Sequence, residues 1–310
     1  MNKEKNFVSA VVYMHNDEPV IEKTLTALYT VLKDTFLKFE MICVDDASSD
    51  GSVECVRTAA GTFTDTTVSI LRMSYFHGLE LSMNAGVDLA IGDYVYEIDS
   101  AFMDYAPSLL VDLYRKCLTG FDIVSAVPDR KEKLGSRLFY KLFCRCAKTD
   151  CEMYTEAFRI LSRRAINRVT AIHKTIPYRK AVYANSGLGY AHVMYEPLKD
   201  ESRKKNNRTP AGYRRNLALD SLILFTDIGY QFSMAMTGLM VLFTLFMVIY
   251  TVVVYATGNP VAGWTTTMGL LSVGFFGLFG ILTIIIKYLA ILVDLSFKKQ
   301  TYRISSIEKI

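Results

Sequence analysis

Acidic side chains follow two of the short apolar segments in the first hundred residues. Asp45 and Asp46 come directly after the segment 40–44, and Asp99 comes directly after 94–98. Carboxylates that are brought together repel one another unless a cation or several hydrogen-bond donors share the site. A divalent cation that carries a diphosphate would satisfy them, and so would the hydroxyl groups of a ribose together with a base. The three aspartates therefore indicate a nucleotide-binding site.

The run from Asp45 to Ser52 also has a simpler interpretation. Asp, Ser and Gly are typical of tight turns, and Asp or Ser often caps the first turn of a helix. A turn followed by a capped helix would explain Asp45 and Asp46 without any ligand. Asp99 favours the ligand site, because it ends a different strand and the turn does not account for it.

The elements that position these carboxylates alternate between strands and helices. The predicted strands are the apolar segments 7–13, 40–44, 68–73 and 94–98, and helical patterns lie between them. This alternation predicts an α/β fold with a mostly parallel sheet that is covered on both faces. Ligands of such sheets bind beyond the carboxyl ends of the strands, which is where the three aspartates fall.

The composition divides the chain of 310 residues into two parts. Overall, 51% of the residues are hydrophobic and 21% are charged, but residues 228–286 are 59 consecutive positions without Asp, Glu, Lys, Arg or His. The first 227 residues have the composition of a water-soluble domain. Disordered, collagen-like and disulfide-scaffold proteins are excluded. The net charge of +4 is too weak to indicate a nucleic-acid partner.

The uncharged stretch is long enough for two membrane spans, since about 20 apolar residues cross the hydrocarbon core. The turn residues 256–260 divide it into predicted helices over about 232–255 and 264–286. Lys and Arg flank the pair of helices, and the connecting loop carries no charge. The positive-inside rule therefore predicts a multi-pass protein of the cell membrane with both flanks in the cytoplasm. Glycines in the second span suit helix packing or a homo-oligomer.

Four regions follow from these boundaries. They are a cytoplasmic domain over 1–207, an amphipathic juxtamembrane helix over 208–229, two transmembrane helices over 230–293 with a short loop near 257–263, and a basic cytoplasmic tail over 294–310. In the second region, apolar side chains would face lipid while Arg214 and Arg215 meet headgroup phosphates. A plain connecting helix is the alternative for that region.

Several short motifs occur in the order in which one known family carries them. The run 44–52 is similar to a DDxSxDGT-like nucleotide-binding turn, and 84–95 is similar to the segment before a DxD motif. The segments 137–140 and 158–164 resemble acceptor-side elements. Together with the predicted spans, the chain resembles a family 2 glycosyltransferase of the GT-A fold. In particular it resembles the membrane-anchored polyprenyl-phosphate glycosyltransferases, which include dolichyl-phosphate mannose synthase-like enzymes.

The resemblance implies a nucleotide-sugar donor, UDP- or GDP-linked, a polyprenyl-phosphate acceptor, and Mg²⁺ or Mn²⁺. It places Asp46 near the base, Asp45 near the nucleotide, and Asp99 at the ribose or at the metal-bound diphosphate. The polar residues implied near the nucleotide are Tyr13, Asn16 and Glu18. His15 and His77 also lie near the site, and we interpret them as solvated loop residues.

Basic residues complete the site that the resemblance implies. Arg130 and Lys131 stand where the family keeps a basic loop that faces the phosphates. The catalytic set that the resemblance implies is Asp99, Arg130, Lys131 and Arg159. The residues expected at the lipid phosphate are Arg137, Arg203, Arg208, Arg214 and Arg215.

The sequence departs from the family's motifs at several positions, and three of the departures bear directly on the chemistry. The DxD motif reads Asp99-Ser100-Ala101, so its second carboxylate is missing, and Met103 replaces the Gln that commonly follows. Ala157 stands where the family has Asp. Asp104 is a candidate second metal ligand, and so is Glu97, which shares a strand face with Asp99.

The expected reaction is a single displacement that inverts the anomeric carbon. A polyprenyl phosphate is already anionic at neutral pH, so the loss of an Asp at Ala157 is compatible with catalysis. The rate would come from holding the phosphate in line and neutralising the departing diphosphate. Two alternatives stay open: transfer to another glycolipid acceptor, and a pseudo-glycosyltransferase that binds a nucleotide without transferring a sugar.

Overall fold

The computed structural model describes residues 3–130, 154–172, 179–184, 186–198 and 302–310, together with individual residues between 235 and 292. The chain forms two compact units. One comprises Met1–Leu217 with Gln300–Ile310, and the other comprises Ala218–Lys299.

A single sheet is the framework of the first unit. Its strands are β1 (Val8–Met14), β2 (Phe39–Asp45), β3 (Thr67–Met73), β4 (Tyr94–Ile98), β5 (Ile123–Pro128), β6 (Phe158–Ser162), β7 (Tyr190–Tyr195) and β8 (Ile304–Lys309). They are ordered β7-β5-β6-β4-β1-β2-β3-β8 across the sheet. Only β6 and β8 run antiparallel to their neighbours among the described strands. The predicted α/β fold with a mostly parallel sheet is therefore confirmed.

Helices connect the strands and cover the sheet. They are α1 (Glu18–Thr35), α2 (Ser52–Ala60), α3 (Leu79–Leu89), α4 (Leu109–Leu118), α5 (Arg163–Ile172) and α6 (Arg179–Ala184). Helix α1 has a proline in its first turn, where the missing N–H is not needed. Its apolar residues recur at helical spacing and are buried, namely Ile21, Leu25, Leu28 and Leu32. Strand β1 is buried along its whole length, so the core lies between the helices and the central strands.

Helix α3 lies close to the central strands because Gly86 has no side chain. A Cβ atom at Gly86 would lie 2.4 Å from Val11 Cγ1 and 2.6 Å from Val44 Cγ2. Both valines are fully buried, and β-branched side chains have little freedom at χ1. This close approach fixes the position of α3, whose first turn follows the loop at the carboxyl end of β3.

Replacing Gly86 with alanine is expected to lower the free energy of unfolding by about 1–3 kcal/mol, because the added methyl overpacks the core. Gly61→Ala is the matched control. Its Cβ would lie 3.5 Å from the Arg57 carbonyl oxygen, and Gly61 already has helical dihedral angles. That variant should be neutral or slightly more stable. Thermal unfolding of both variants in detergent tests this, and equal melting temperatures would contradict the packing argument.

The end of the chain forms an edge strand that the sequence pattern does not predict. Residues 294–310 read as a basic tail, yet β8 pairs antiparallel with β3. The backbone of Ile310 exchanges two hydrogen bonds with Val68, of 2.9 and 3.1 Å. Arg57 Nη2 also lies 2.8 Å from Glu308 Oε2 in an ion pair. These partners are far away in sequence, so local patterns give no sign of the strand.

The second unit contains the uncharged stretch. Within the part of the chain that the structure describes, no helix combines the length and the apolar character needed to cross a membrane. The predicted spans over 232–255 and 264–286 lie largely outside the described residues, and the amphipathic helix over 208–229 lies wholly outside them. These three elements stay predictions.

Candidate active site

The candidate site lies at the carboxyl edge of the sheet. Asp45 is the last residue of β2, Asp46 follows it, and Asp99 follows β4. Strand β1 separates β2 from β4 and runs parallel to both, so all three aspartates reach the same edge. Two different hydrogen-bond networks hold them there.

Asp46 is fully buried and holds the loop that precedes α3. Its Oδ1 accepts the His77 N–H at 2.8 Å, and its Oδ2 accepts the Gly78 N–H at 2.8 Å. The Tyr13 hydroxyl donates to Oδ2 at 3.0 Å. Gly78 has φ +84°, which only glycine adopts without strain. The structure thus gives Asp46 a positioning role, and its contact with a base stays a prediction.

Asp45 shapes the turn after β2. Its Oδ1 accepts the Ser48 N–H at 3.1 Å, and its Oδ2 lies 3.4 Å from Arg72 Nε. Ala47, inside this turn, has φ +55°, a conformation that costs a non-glycine residue free energy. The turn interpretation therefore accounts for the contacts of Asp45, and its role toward a nucleotide stays a prediction.

The loops after β1 and β2 are tied to each other at this edge. Asn16 Oδ1 accepts the Ser49 N–H at 2.8 Å, and Glu18 Oε2 accepts the Gly51 N–H at 3.0 Å. Asn16 adopts φ +56°, which asparagine tolerates better than most residues. In this structure both side chains fix the shape of the two loops, and their contact with a nucleotide stays a prediction.

A buried cluster surrounds Asp99. We call it the arginine–carboxylate cluster, and its members are Glu80, Glu97, Asp99, Glu156, Arg159 and Arg179. Arg159 Nη1 donates to Glu97 Oε2 at 3.0 Å, and Nη2 donates to Asp99 Oδ2 at 2.8 Å. Arg159 Nε lies 3.1 Å from Glu156 Oε2 in an ion pair without hydrogen-bond alignment.

Arg179 holds the other side of the cluster from helix α6. Its Nη2 donates to Asp99 Oδ1 at 2.8 Å, and its Nη1 donates to Glu97 Oε2 at 2.7 Å. Glu80 Oε2 accepts both the backbone N–H and Nε of Arg179, at 3.0 and 2.9 Å. The Tyr183 hydroxyl donates to Glu97 Oε1 at 2.6 Å. Each oxygen of Asp99 therefore faces a different guanidinium group.

The charges in the cluster shift its pKa values in opposite directions. Burial raises the pKa of Glu97 above its ordinary value in spite of the two nearby guanidinium groups. Burial also acts on Asp99, but Arg159 and Arg179 outweigh it and lower the pKa of Asp99. Lys180 contributes to the lowering for Asp99 and Glu156. Asp99 is therefore an anion at neutral pH.

A match to known sequences decides the family. Residues 9–184 match the Glycosyl transferase family 2 model, which is more than half of the chain. The chain belongs to glycosyl transferase family 2. It is therefore a transferase, and its sheet is that of a GT-A domain.

Relatives of this family 2 glycosyltransferase match beyond the catalytic domain. The "Uncharacterized glycosyltransferase YkcC" of Bacillus subtilis is 25% identical over 83% of this chain and 80% of its own length. An "Undecaprenyl-phosphate 4-deoxy-4-formamido-L-arabinose transferase" of Pseudomonas savastanoi is 24% identical over 83% of this chain and 77% of its own.

A solved structure shares the fold. Glucosyl-3-phosphoglycerate synthase from Mycobacterium tuberculosis, crystallised with Mn²⁺ and UDP-glucose, superposes with a TM-score of 0.50 at 13% identity. The match covers 70% of this chain and 77% of the synthase. At this identity the likeness supports the fold alone.

The donors around Asp99 do not fit Mg²⁺ or Mn²⁺. The motif's second carboxylate is replaced by Ala101, which is buried, and two guanidinium groups face the oxygens of Asp99. Glu97 is used by the same two arginines and by Tyr183. Within the described ranges, no three His, Cys, Asp or Glu side chains are arranged to hold a metal ion. We therefore assign no step of the reaction to a metal.

Asp104, the other candidate metal ligand, also has protein partners. The Tyr195 hydroxyl donates to Asp104 Oδ1 at 2.7 Å. Arg130 Nη1 lies 3.7 Å from Asp104 Oδ2, and the Arg130 side chain is 37% exposed. Arg130 thus follows β5 at the carboxyl edge with a partly exposed side chain, and its contact with a phosphate stays a prediction.

The structure leaves part of the predicted site undescribed. Arg159 is described, and its burial with three carboxylates makes it a positioning residue for Asp99. The predicted basic residues that lie outside the described part of the chain are Lys131, Arg137, Arg203, Arg208, Arg214 and Arg215.

Sequence reasoning missed three residues of this edge. Arg179 and Lys180 begin the short helix α6, which no sequence motif predicts. His77 was interpreted as a solvated loop residue, and this was wrong, because its side chain is buried. The signal that could have found Arg179 is electrostatic: buried carboxylates require cations, and Arg159 alone cannot balance Glu97, Asp99 and Glu156.

Proposed function

We propose that this family 2 glycosyltransferase transfers a sugar from a nucleotide sugar to a polyprenyl phosphate, with inversion at the anomeric carbon. The observation that carries the proposal is the placement of Asp99 at the carboxyl edge. Its side chain is 13% exposed, compared with 0% for Glu97, 3% for Glu156 and 7% for Glu80. It is the cluster carboxylate that a ligand at this edge reaches.

In the proposed complex, the nucleotide lies over the linked loops 14–18 and 45–52. Asp99, held as an anion between two guanidinium groups, accepts a hydrogen bond from a hydroxyl of the ribose or the sugar. Among the described residues, Lys180 is a cation that acts on Asp99, and Arg130 is a cation that follows β5. They would offset the charge of the diphosphate as it departs.

The proposed reaction is one displacement step. A phosphate oxygen of the acceptor forms a bond to the anomeric carbon while the bond from that carbon to the diphosphate oxygen breaks. The nucleoside diphosphate leaves with the electron pair. Because the acceptor oxygen is already anionic, no base has to remove a proton, and Ala157 is compatible with turnover.

The lipid acceptor is supported by two independent features. The uncharged stretch 228–286 is flanked by basic residues on both sides, which is typical of spans whose ends face the cytoplasm. The Pseudomonas savastanoi relative, named for an undecaprenyl-phosphate substrate, matches across 83% of this chain. We place the catalytic domain at the cytoplasmic face of the cell membrane.

Transfer assays on the full-length chain in detergent test the proposal. The protein is given labelled UDP- and GDP-sugars with undecaprenyl phosphate, in Mn²⁺ or in EDTA. We expect a labelled lipid product that forms only when the lipid phosphate is present. Transfer to larger glycolipids alone would instead identify another acceptor. The EDTA arm shows whether transfer depends on a divalent metal ion.

A pseudo-glycosyltransferase is the second candidate function. Ala101, Met103 and Ala157 together replace three polar residues of the family's motifs. In that case the same assay would show nucleotide binding without turnover of any donor.

A further inference from the structure

The last residues of the chain reach the carboxyl edge beside Asp46. Because β8 runs antiparallel to β3, its first residues lie next to the end of β3, and Ile304 pairs with Met73. The Ser74 N–H donates to the Arg303 carbonyl oxygen at 3.0 Å. The residues before β8 therefore lie alongside the loop 74–78.

His77 connects this C-terminal segment to the loop. The backbone N–H of Arg303 donates to His77 Nε2 at 3.1 Å, so Nε2 must carry a lone pair. Nδ1 then carries the proton and donates to the Tyr75 carbonyl oxygen at 2.5 Å. These two partners select one neutral tautomer of the imidazole. The ring also stacks on Tyr75, with centroids 4.0 Å apart.

His77 also contacts Asp46, through its backbone N–H group. The N–H groups of His77 and Gly78 each donate to the Asp46 carboxylate at 2.8 Å. A continuous set of contacts therefore runs from the Arg303 backbone, through one residue, to the buried carboxylate of the candidate nucleotide site.

Two side-chain contacts anchor the C-terminal segment. The Tyr302 hydroxyl donates to Asp88 Oδ2 on helix α3. Glu308 binds the Arg57 guanidinium on helix α2, with Nε at 3.1 Å and Nη2 at 2.8 Å. The segment is thus attached to α2, which follows the loop 45–52, and to α3, which follows the loop 74–78.

We propose that the C-terminal strand positions the loop 74–78 for donor binding, with His77 as a positioning residue that the Arg303 backbone holds in place. The inference rests on the proposed nucleotide-sugar function. The residues of β8 follow the uncharged stretch 228–286 in sequence and pair with β3, so the proposed donor site includes contacts from both sides of that stretch.

Two substitutions at residue 303 separate the backbone contact from the side chain. Arg303→Pro removes the N–H that His77 accepts, while Arg303→Ala removes the guanidinium group and keeps that N–H. In the full-length chain, Arg303→Pro should raise the donor KM about fivefold and leave kcat within about twofold, which corresponds to one lost hydrogen bond. Arg303→Ala should behave like wild type.

Hydrogen exchange gives a readout that needs no nucleotide. In Arg303→Pro, the amides of His77 and Gly78 should exchange about fivefold faster than in wild type, since their loop opens more readily. His77→Phe keeps an aromatic ring on Tyr75 and removes both the acceptor for Arg303 and the donor to the Tyr75 carbonyl oxygen. Its effect should be at least that of Arg303→Pro, and the double variant should lose no more than His77→Phe alone.

Three results would overturn the inference. They are unchanged exchange of both amides in Arg303→Pro, equal losses in Arg303→Pro and Arg303→Ala, and additive losses in the double variant. If wild type binds neither UDP nor GDP, the proposed function fails instead, and the exchange measurement still tests the contact between the strand and the loop.

Discussion

Asp99→Asn is expected to lower the rate of sugar transfer by about a hundredfold or more. The amide has nearly the same shape, but it carries no charge and turns an N–H group toward Arg159 or Arg179, each of which now donates to Asp99 at 2.8 Å. The side chain would rotate or shift to avoid the contact between two N–H groups. A nucleotide sugar displaced by that movement would react about two orders of magnitude more slowly. Labelled-sugar transfer to undecaprenyl phosphate measures the loss.

Asp122→Asn is the matched control for that variant. Asp122 also binds an arginine, since Arg164 Nε donates to Asp122 Oδ1 at 2.9 Å. It precedes β5 and therefore lies at the amino edge of the sheet, away from the candidate site. We expect transfer within about twofold of wild type. Wild-type turnover in Asp99→Asn, with both melting temperatures unchanged, would remove Asp99 from the site.

The positions of the three aspartates could be predicted from sequence because strand ends are local features. An apolar segment that stops at Asp45 or at Asp99 marks the end of a buried strand, and parallel strands end at one edge. The expectation that Glu97 and Asp99 share a face is confirmed, since both contact the same two arginines. The period of two along a strand was sufficient for that result.

The partners of those carboxylates could not be predicted, because they are distant in sequence. Arg159 and Arg179 come from elements more than 50 residues after Asp99, and strand register decides which side chains meet. Glu97 is a candidate metal ligand from the sequence, whereas in the described structure its Oε2 contacts the guanidinium groups of Arg159 and Arg179. His77 was misjudged for the same reason, since its partner is residue 303.

Arg179→Met is expected to lower the free energy of unfolding by about 3–5 kcal/mol. Arg179 is fully buried and faces three carboxylates, those of Glu80, Glu97 and Asp99. Methionine fills a similar volume but leaves the buried carboxylates without one of their counter-ions. An uncompensated buried charge is what makes the removal of one partner of a buried ion pair strongly destabilising. Chemical denaturation of the full-length chain measures the difference.

Lys33→Met is the control for a surface pair. Lys33 Nζ lies 3.1 Å from Asp65 Oδ2, and the two side chains are 39% and 65% exposed, so the loss of Lys33 should lower the free energy of unfolding far less than the loss of Arg179. If both variants lowered the free energy of unfolding by a similar amount, the arginine–carboxylate cluster would contribute no more to stability than an ordinary surface contact.

The pH dependence of the Arg179→Met deficit tests its electrostatic origin. In wild type, the lowered pKa of Asp99 means that its contribution is present at neutral pH and is lost as the pH falls through the folded-state pKa. Burial already raises the pKa of Glu97 in wild type. In the variant, the loss of Arg179 should raise the folded-state pKa of Glu97 further and bring that of Asp99 above its unfolded value. Their protonated forms then favour folding, and this contribution is lost as the pH rises. The deficit should therefore shrink when the pH is lowered from about 8 to about 5. A deficit that stays constant over this range would indicate lost packing instead of uncompensated charge.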